Sequence, residues 1–175
     1  QFIAGPYCAK MMADLGAEVI KIELPGVGDE ARRKGPFLYD LPHPERSGLF
    51  SYVNTNKLGI TLDVSNPAGR KIFHQLASKA DILVEDKPPQ ALKELRLDYA
   101  SLAAINPGLV VTSITPFGVS GPYSSYKGYP LNIFHSGGEG YMTPWITPFE
   151  AEKFRALPPV RVARYFSEFA SGVSS

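Results

Sequence analysis

The chain has 175 residues, of which 44% are apolar and 20% charged, as expected for a soluble globular domain with a sizeable core. Lys and Arg number 18 against 17 Asp and Glu, which disfavours nucleic acid or an anionic membrane as the main partner. Cys8 is the single cysteine, so an internal disulfide is excluded and a reducing, cytoplasmic compartment is favoured. No apolar run approaches the about 20 residues that span a bilayer.

The two ends of the sequence suggest a piece of a longer protein. The chain opens on Gln1 without an initiator Met and enters a helical pattern with no preceding strand. Its last eight residues, from Glu168, have the pattern of a helix that is only beginning. We therefore expect part of the active site to lie in sequence that is not present here.

The first predicted unit is a helix, a tight turn and a strand. Gly5-Pro6 opens the helix, since proline suits the first helical turn, and Gly16 closes it by adopting positive φ. A short apolar strand is predicted over residues 18–23, with Val19, Ile20 and Ile22 at its centre.

The same alternation recurs along the chain. Asn66-Pro67 begins a helix to about Lys79, in which Ile72, Phe73 and Leu76 are predicted to face inward. The remaining predicted elements are a strand over 81–85, helices over 90–95 and 98–105, a turn at 106–108 and a strand over 109–114. Helices alternating with short, continuously apolar strands predict an α/β fold whose doubly wound parallel sheet is covered on both faces.

Two long predicted loops, over 25–48 and 116–140, interrupt this alternation. In open α/β sheets ligands bind beyond the carboxyl ends of the strands, where such loops begin. Two strands end in carboxylates there, one at Glu23 and one at Glu85-Asp86. An acid in this position can accept hydrogen bonds from a ribose or an adenine amine, although a solvated strand end is equally compatible with the pattern.

The most basic local cluster is Arg32-Arg33-Lys34, which follows two glycines. Arginine suits phosphate, but the spacing is neither a P-loop nor the dinucleotide fingerprint, and a solvated loop is the alternative. The missing Gly-x-Gly-x-x-Gly turn excludes a typical nicotinamide-dependent dehydrogenase. The histidines and acids show no metal-ligand spacing, and His135 is predicted to lie in the glycine-rich loop.

Several short motifs occur in fixed order along most of the chain. They are the run from Ala4 to Glu23, Gly28-Asp29-x-x-Arg32, Gly35-Pro36-Phe37, Asn56-Lys57, Ile60 to Asp63, Ala80 to Glu85, Asn106-Pro107, Pro116 to Pro122 and Gly128-Tyr129. This ordered set is far more specific than any single motif, and it resembles the N-terminal part of the family III CoA-transferases, which include formyl-CoA:oxalate and carnitine CoA-transferases and the α-methylacyl-CoA racemases.

This resemblance implies a Rossmann-like large domain, a small second domain outside this segment and an interlocked homodimer. It implies an acyl-CoA and a carboxylic acid acceptor as substrates, with CoA as the acyl carrier and no metal. Its CoA-binding positions correspond here to Leu24, Leu62, Asp63, Glu85, Asp86, Lys87 and Arg96, with Arg32 added as the candidate phosphate ligand. The family's frequent Glu-Asn-Phe is here Glu85-Asp86-Lys87, which alters the expected adenine contacts.

The catalytic position differs from the family pattern. The transferases use an Asp near a helix start, after a Pro-Pro segment, to attack the thioester. Here Pro158-Pro159 leads to Glu168, whose carboxylate is carried on an arm one methylene longer. A carboxylate can form a mixed anhydride that keeps the acyl group activated, so Glu168 is the expected nucleophile, with Glu139 as the competing residue.

Two other interpretations stay open from the sequence. Because a shift of about 1 Å can cost roughly a hundredfold in rate, Glu168 also fits a catalytically inactive half retained for assembly. The racemase branch places a histidine where this chain has Tyr129. Tyrosine, with a pKa of about 10, is a poor base at neutral pH, which makes racemization the less favoured activity.

Overall fold

The computed structural model describes residues 1–138, which fold into alternating helices and parallel strands. The helices are α1 (Ala4–Asp14), α2 (Gly48–Val53), α3 (Pro67–Ala77), α4 (Pro89–Leu95), α5 (Tyr99–Ala103) and α6 (Pro130–Ser136). The strands are β1 (Val19–Glu23), β2 (Lys57–Thr61), β3 (Ile82–Glu85) and β4 (Val110–Ser113). The predicted α/β class with parallel strands is confirmed.

The strands pair in parallel as β1 with β2 and β3 with β4. In the first pair Ile20 lies opposite Leu58, and in the second Ile82 lies opposite Val110. Helix α1 contacts both β1 and β3, so it connects the two pairs. Parallel pairing brings the carboxyl ends of β1 and β2 to one edge and those of β3 and β4 likewise.

The helix ends follow the local signals in the sequence. The N–H of Ala17 donates to the carbonyl of Met12 at 3.0 Å, and Gly16, at φ 100°, makes the left-handed turn that ends α1. At the start of α3 the side chain of Asn66 accepts the N–H of Ala68 at 2.9 Å, and Pro67 occupies the first turn.

The main hydrophobic core lies between α3, the α4–α5 segment and the β3–β4 pair. Its buried residues are Ala77, Leu97, Leu102 and Leu109. Partly buried side chains surround it, among them Val64, Phe73, Ala80, Leu83, Leu92, Leu95 and Val111. The core therefore fixes α3 and the β3–β4 pair relative to each other.

Some predictions about individual elements are wrong. The loop predicted over 25–48 contains the short 3₁₀ helices Glu30–Arg33, Leu38–Asp40 and Pro44–Arg46, and α2 begins at its end. The loop predicted over 116–140 contains α6, whose last turn holds His135. Strand β2 was not predicted, because Lys-Leu-Gly-Ile-Thr offers only two apolar side chains and becomes a strand by pairing with β1.

Burial also differs from the prediction. Ile20 in β1 and Ile82 in β3 are 41% and 47% exposed, whereas continuous burial was expected for both strands. Ile72 of α3 is exposed as well, while its neighbours Phe73 and Leu76 are partly buried. Within residues 1–138, therefore, each of these two strands has one exposed apolar side chain.

Candidate functional site

The carboxyl ends of β1 and β3 lie beside the N-terminal part of α1. Helix α1 contacts both strands, and Gly5 in its first turn lies against Asp86, which follows β3. A Cβ built on Gly5 would stand 3.3 Å from Oδ2 of Asp86, which shows how closely the first turn of α1 approaches that carboxylate. This arrangement, called the strand-end site below, brings together segments that are far apart in the sequence.

Glu23, the last residue of β1, is almost fully buried and forms a bidentate ion pair with Arg32. Its Oε2 accepts from Nε of Arg32 at 2.8 Å, and its Oε1 accepts from Nη2 at 2.9 Å. Oε2 also accepts the N–H of Asp29 at 2.9 Å. These hydrogen bonds, chiefly those from Arg32, hold the pKa of Glu23 below its ordinary value.

Arg32, the candidate phosphate ligand, is engaged in contacts within the chain. Its Nη1 donates to Oε1 of Glu45 at 2.8 Å, and its guanidinium carbon lies 3.7 Å from the ring centroid of Phe50. Together with Glu23, these contacts hold the loop after β1 in place. Phosphate binding by Arg32 stays a prediction, and a phosphate there would share the guanidinium with Glu23.

Asp29 is a buried charge that the sequence did not single out. It is 1% exposed, forms an ion pair with Lys21 and accepts the N–H groups of Phe2 and Ala31, each at 2.9 Å. Burial by itself would raise its pKa, but the charge and hydrogen bonds of its partners outweigh burial, so the pKa lies below its ordinary value. The only hint of its importance in the sequence was its place in the Gly28-Asp29-x-x-Arg32 motif.

The turn after β3 contains three of the predicted CoA contacts. Oε2 of Glu85 accepts the N–H of Lys87 at 2.7 Å, which closes the turn. Oε1 of Glu85 is buried and has no hydrogen-bond partner within the described part of the chain. A buried acceptor of this kind is usually satisfied by some donor.

Leu24, Leu62 and Asp63 lie at the ends of the other strand pair. The N–H of Leu62 donates to the carbonyl of Glu23 at 2.9 Å, which continues the pairing of β1 with β2. Leu24 is exposed, and Asp63 accepts the N–H and the hydroxyl of Ser65 at 2.9 and 2.6 Å. These three predicted positions therefore lie close to Glu23.

Arg96 lies apart from these strand ends along the chain. It is the residue at which α4 ends, with a left-handed backbone at φ 56° and an exposed side chain. Helix α4 separates it from the turn after β3 by roughly 10 Å of helix. Its part in binding CoA stays a prediction.

Lys57 is a second charged residue that the sequence alone did not identify as important. Its ammonium donates to the carbonyls of Pro6 and Val53 at 2.6 and 2.7 Å and to Oδ1 of Asn54 at 3.1 Å. It thereby connects β2 to the first turn of α1 and the end of α2. Burial lowers the pKa of Lys57 to about 8.

The predicted catalytic residue Glu168, its competitor Glu139 and the Pro158-Pro159 segment lie outside the described residues. Tyr129 is described: it precedes α6, and its N–H donates to Oδ1 of Asn132 at 2.6 Å. Residues 1–138 contain no group of three or more His, Cys, Asp or Glu side chains that could hold a metal ion. Nor does this part of the chain contain a helix long and apolar enough to cross a membrane.

Comparison with known proteins shows clear relatives. The chain is 39% identical over 167 residues to succinyl-CoA:(R)-benzylsuccinate CoA-transferase subunit BbsE of Thauera aromatica. This alignment covers 95% of this chain and 40% of that protein. It is 42% identical over 140 residues to a formyl-CoA:oxalate CoA-transferase of Bradyrhizobium sp., covering 80% of this chain and 32% of that one. The chain thus spans well under half the length of these relatives.

A solved structure is similar to this chain in fold and sequence. The crystal structure of a CAIB/BAIF family protein from Brucella suis matches with a TM-score of 0.83 and 33% identity, covering 100% of this chain and 44% of that one. The model of the CoA-transferase family III matches residues 1–173. The ordered motifs, the parallel α/β fold and these matches agree, and the chain belongs to CoA-transferase family III.

Proposed function

We propose that the protein containing this chain transfers CoA between an acyl-CoA thioester and a carboxylic acid. The family match over residues 1–173 is the observation that carries the proposal. Relatives over this region are CoA-transferases by name, and the strand ends that would hold CoA are formed by this segment. A homodimer and a cytoplasmic location stay predictions.

The strand-end site is the proposed place for the adenosine end of CoA. Leu24 and Leu62 supply apolar surface beside the carboxylate of Asp63, and the turn from Glu85 to Lys87 faces the first turn of α1. The buried and unpartnered Oε1 of Glu85 fits this assignment, because a ribose hydroxyl or an adenine amine would supply the donor that it lacks.

Calorimetric titration of the full-length protein with CoA tests this binding site. We expect Glu85→Gln to weaken binding about tenfold, because hydrogen bonds to a charged acceptor are stronger than those to a neutral one. Glu94→Gln is the matched control, because Glu94 is exposed on α4 and the substitution removes one carboxylate charge at a position outside the strand ends. The site would be wrong if the two variants bound CoA equally well.

We further propose that Glu168 attacks the thioester carbonyl carbon. The carbon–sulfur bond breaks, CoA leaves as the thiolate, and the acyl group stays on Glu168 as a mixed anhydride. The sequence predicts that Glu168 lies near a helix start, where the helix dipole would favour the ionised carboxylate. The N–H groups of Gly137 and Gly138 are proposed to stabilise the oxyanion that develops.

Trapping the intermediate distinguishes Glu168 from Glu139. Incubation with acyl-CoA and hydroxylamine should modify one glutamate, which peptide mass mapping can locate. Glu168→Gln should abolish the adduct, whereas Glu168→Asp should keep it, because Asp restores the family's usual residue. Modification of Glu139, or full activity in Glu168→Gln, would contradict the assignment.

Two other functions rest on specific features. If the full-length protein binds no CoA at millimolar concentration, the chain is instead a structural half whose strand ends serve assembly. Racemization would need a base at the position of Tyr129, which can be tested by deuterium exchange at the α-carbon of a bound acyl-CoA. Exchange that is lost in Tyr129→Phe would favour racemization.

A further inference from the structure

A groove runs along one flank of α3 and is distinct from the strand-end site. Its volume is about 610 Å³, within the range of small-molecule sites. Its lining residues, which define the α3 groove, are Pro67, Arg70, Lys71, His74, Gln75, Ser78 and Ile105. Pro67, Arg70 and His74 and their neighbours Lys71 and Gln75 lie on one face of α3, which forms the floor of the groove. Ser78 lies at the end of the helix.

Two nitrogen atoms of residues that line the α3 groove are buried without a hydrogen-bond partner. They are Nε of Arg70 and Nε2 of His74, both unpaired within residues 1–138. Arg70 is nevertheless oriented, because its Nη2 donates to the carbonyl of Ser65 at 3.2 Å. Leaving a buried donor unsatisfied is costly, and such atoms are normally paired with a ligand, an ion or water.

The charge of the α3 groove is positive. Arg70 and Lys71 are cationic, and none of the seven lining residues in the described chain carries a carboxylate. Guanidinium, ammonium and imidazole N–H groups on one helix face form a set of donors suited to phosphate oxygens.

We propose that the α3 groove binds a phosphate-bearing small molecule, with the phosphate held by Arg70, Lys71 and His74. The rest of the groove fits the organic part of such a ligand: Pro67 and Ile105 provide apolar contact, and Gln75 and Ser78 provide neutral polar groups. The site lies on the side of α3 rather than among the strand ends. Arg70 contacts Ser65, which is hydrogen-bonded to Asp63, so the two sites are separated by titrating with and without CoA.

The test titrates the full-length protein with phenyl phosphate and follows binding by calorimetry, with CoA present at saturation and again without it. We expect Arg70→Met to weaken binding about tenfold or more, since it removes a charged donor. Lys71→Met should weaken binding severalfold and, because Lys71 is exposed, should fold normally even if Arg70→Met does not. Lys93→Met on α4 is the matched control and should bind like the unaltered protein.

Several results would overturn the proposal. Absence of phenyl phosphate binding at about 10 mM, tenfold above a typical millimolar metabolite concentration, would contradict the proposal. Equal losses in Lys71→Met and Lys93→Met would show that only net charge matters. Binding of succinate as tightly as phenyl phosphate would contradict a phosphate site.

The same titrations distinguish this proposal from the proposed function. If CoA does not bind while phenyl phosphate still binds, the proposed function is wrong and the proposed phosphate site is unaffected.

Discussion

Asp29 carries a negative charge at a position that is 1% exposed, which is costly unless the charge is compensated. The ammonium of Lys21 and the N–H groups of Phe2 and Ala31 provide that compensation. Because these partners come from β1, the 3₁₀ segment and the start of the chain, Asp29 also fixes three segments relative to one another.

Asp29→Asn should reduce the free energy of unfolding by about 3 kcal/mol, because it leaves the ammonium of Lys21 uncompensated in a buried position. Urea denaturation of the full-length protein measures this loss. Asp14→Asn is the matched control, since it removes a carboxylate from the surface pair with Lys10 and should change stability far less. Equal losses in the two variants would show that burial of Asp29 has no energetic consequence.

Lys57 predicts a dependence of stability on alkaline pH. Its pKa is about 8 in the folded chain, against 10.5 ordinarily, so the unfolded chain binds more protons between these values. The contribution of Lys57 to the free energy of unfolding therefore rises as the pH increases from 8 to 10.5.

The stability advantage of the unaltered protein over Lys57→Met should consequently grow across that window. Urea denaturation of both proteins at several pH values measures the difference in their free energies of unfolding. The contributions of all other titrating groups cancel in this difference. A difference that stays constant or shrinks between pH 8 and 10.5 would contradict the lowered pKa.

Helix α3 lies close to the segment that follows β2. Gly69 lies so near the carbonyl of Asp63 that a Cβ on it would stand only 2.0 Å from that oxygen. The contact is with backbone, which cannot move aside as a flexible side chain can. Gly69 therefore sets the distance between α3 and the Leu62-Asp63 segment of the strand-end site.

Gly69→Ala should lower the free energy of unfolding by roughly 2 kcal/mol through overpacking and should weaken CoA binding by displacing Asp63. Urea denaturation and calorimetry measure the two effects. Gly59→Ala in β2 is the control, because a Cβ there meets no atom within 4 Å. Unchanged stability in Gly69→Ala would show that α3 can shift without cost.

The elements that could be predicted from sequence are those with strong local signals. Helices α1 and α3 have proline in the first turn and a recognisable stop or cap, and these signals act within a few residues. Strand β2 lacks such signals, whereas α6 has one of them, Pro130 in its first turn, within a segment of loop-like composition. Lys57–Thr61 becomes a strand only through its partner β1, and α6 follows a run of glycine, serine and tyrosine that resembles a loop.

At the scale of the whole molecule, the strand pairs expose apolar side chains within the described residues. Opposed neighbours Ile20 and Leu58 are 41% and 59% exposed, and Ile82 and Val110 are 47% and 58% exposed. Apolar pairs on adjacent strands usually face other protein. The relatives named above are also more than twice as long as this chain.

We therefore expect residues 1–175 by themselves to transfer CoA far more slowly than the full-length protein. Chromatography of acyl-CoA products, with both proteins at equal molar concentration, measures the rates. The full-length Glu168→Gln variant provides the background rate. Equal turnover by the short and the full-length chains would show that this segment holds a complete active site.

The sequence by itself determined the fold class, the family and the placement of carboxylates at strand ends. These follow from local periodicity, capping residues and ordered motifs, each of which acts over short stretches of chain. Only the tertiary structure decided which charges pair. Arg32 pairs with Glu23, and Asp29 pairs with Lys21. Lys57 donates hydrogen bonds to backbone carbonyls of α1 and α2. A buried charge is costly without a partner, and the partners of these charges come close only in the folded chain.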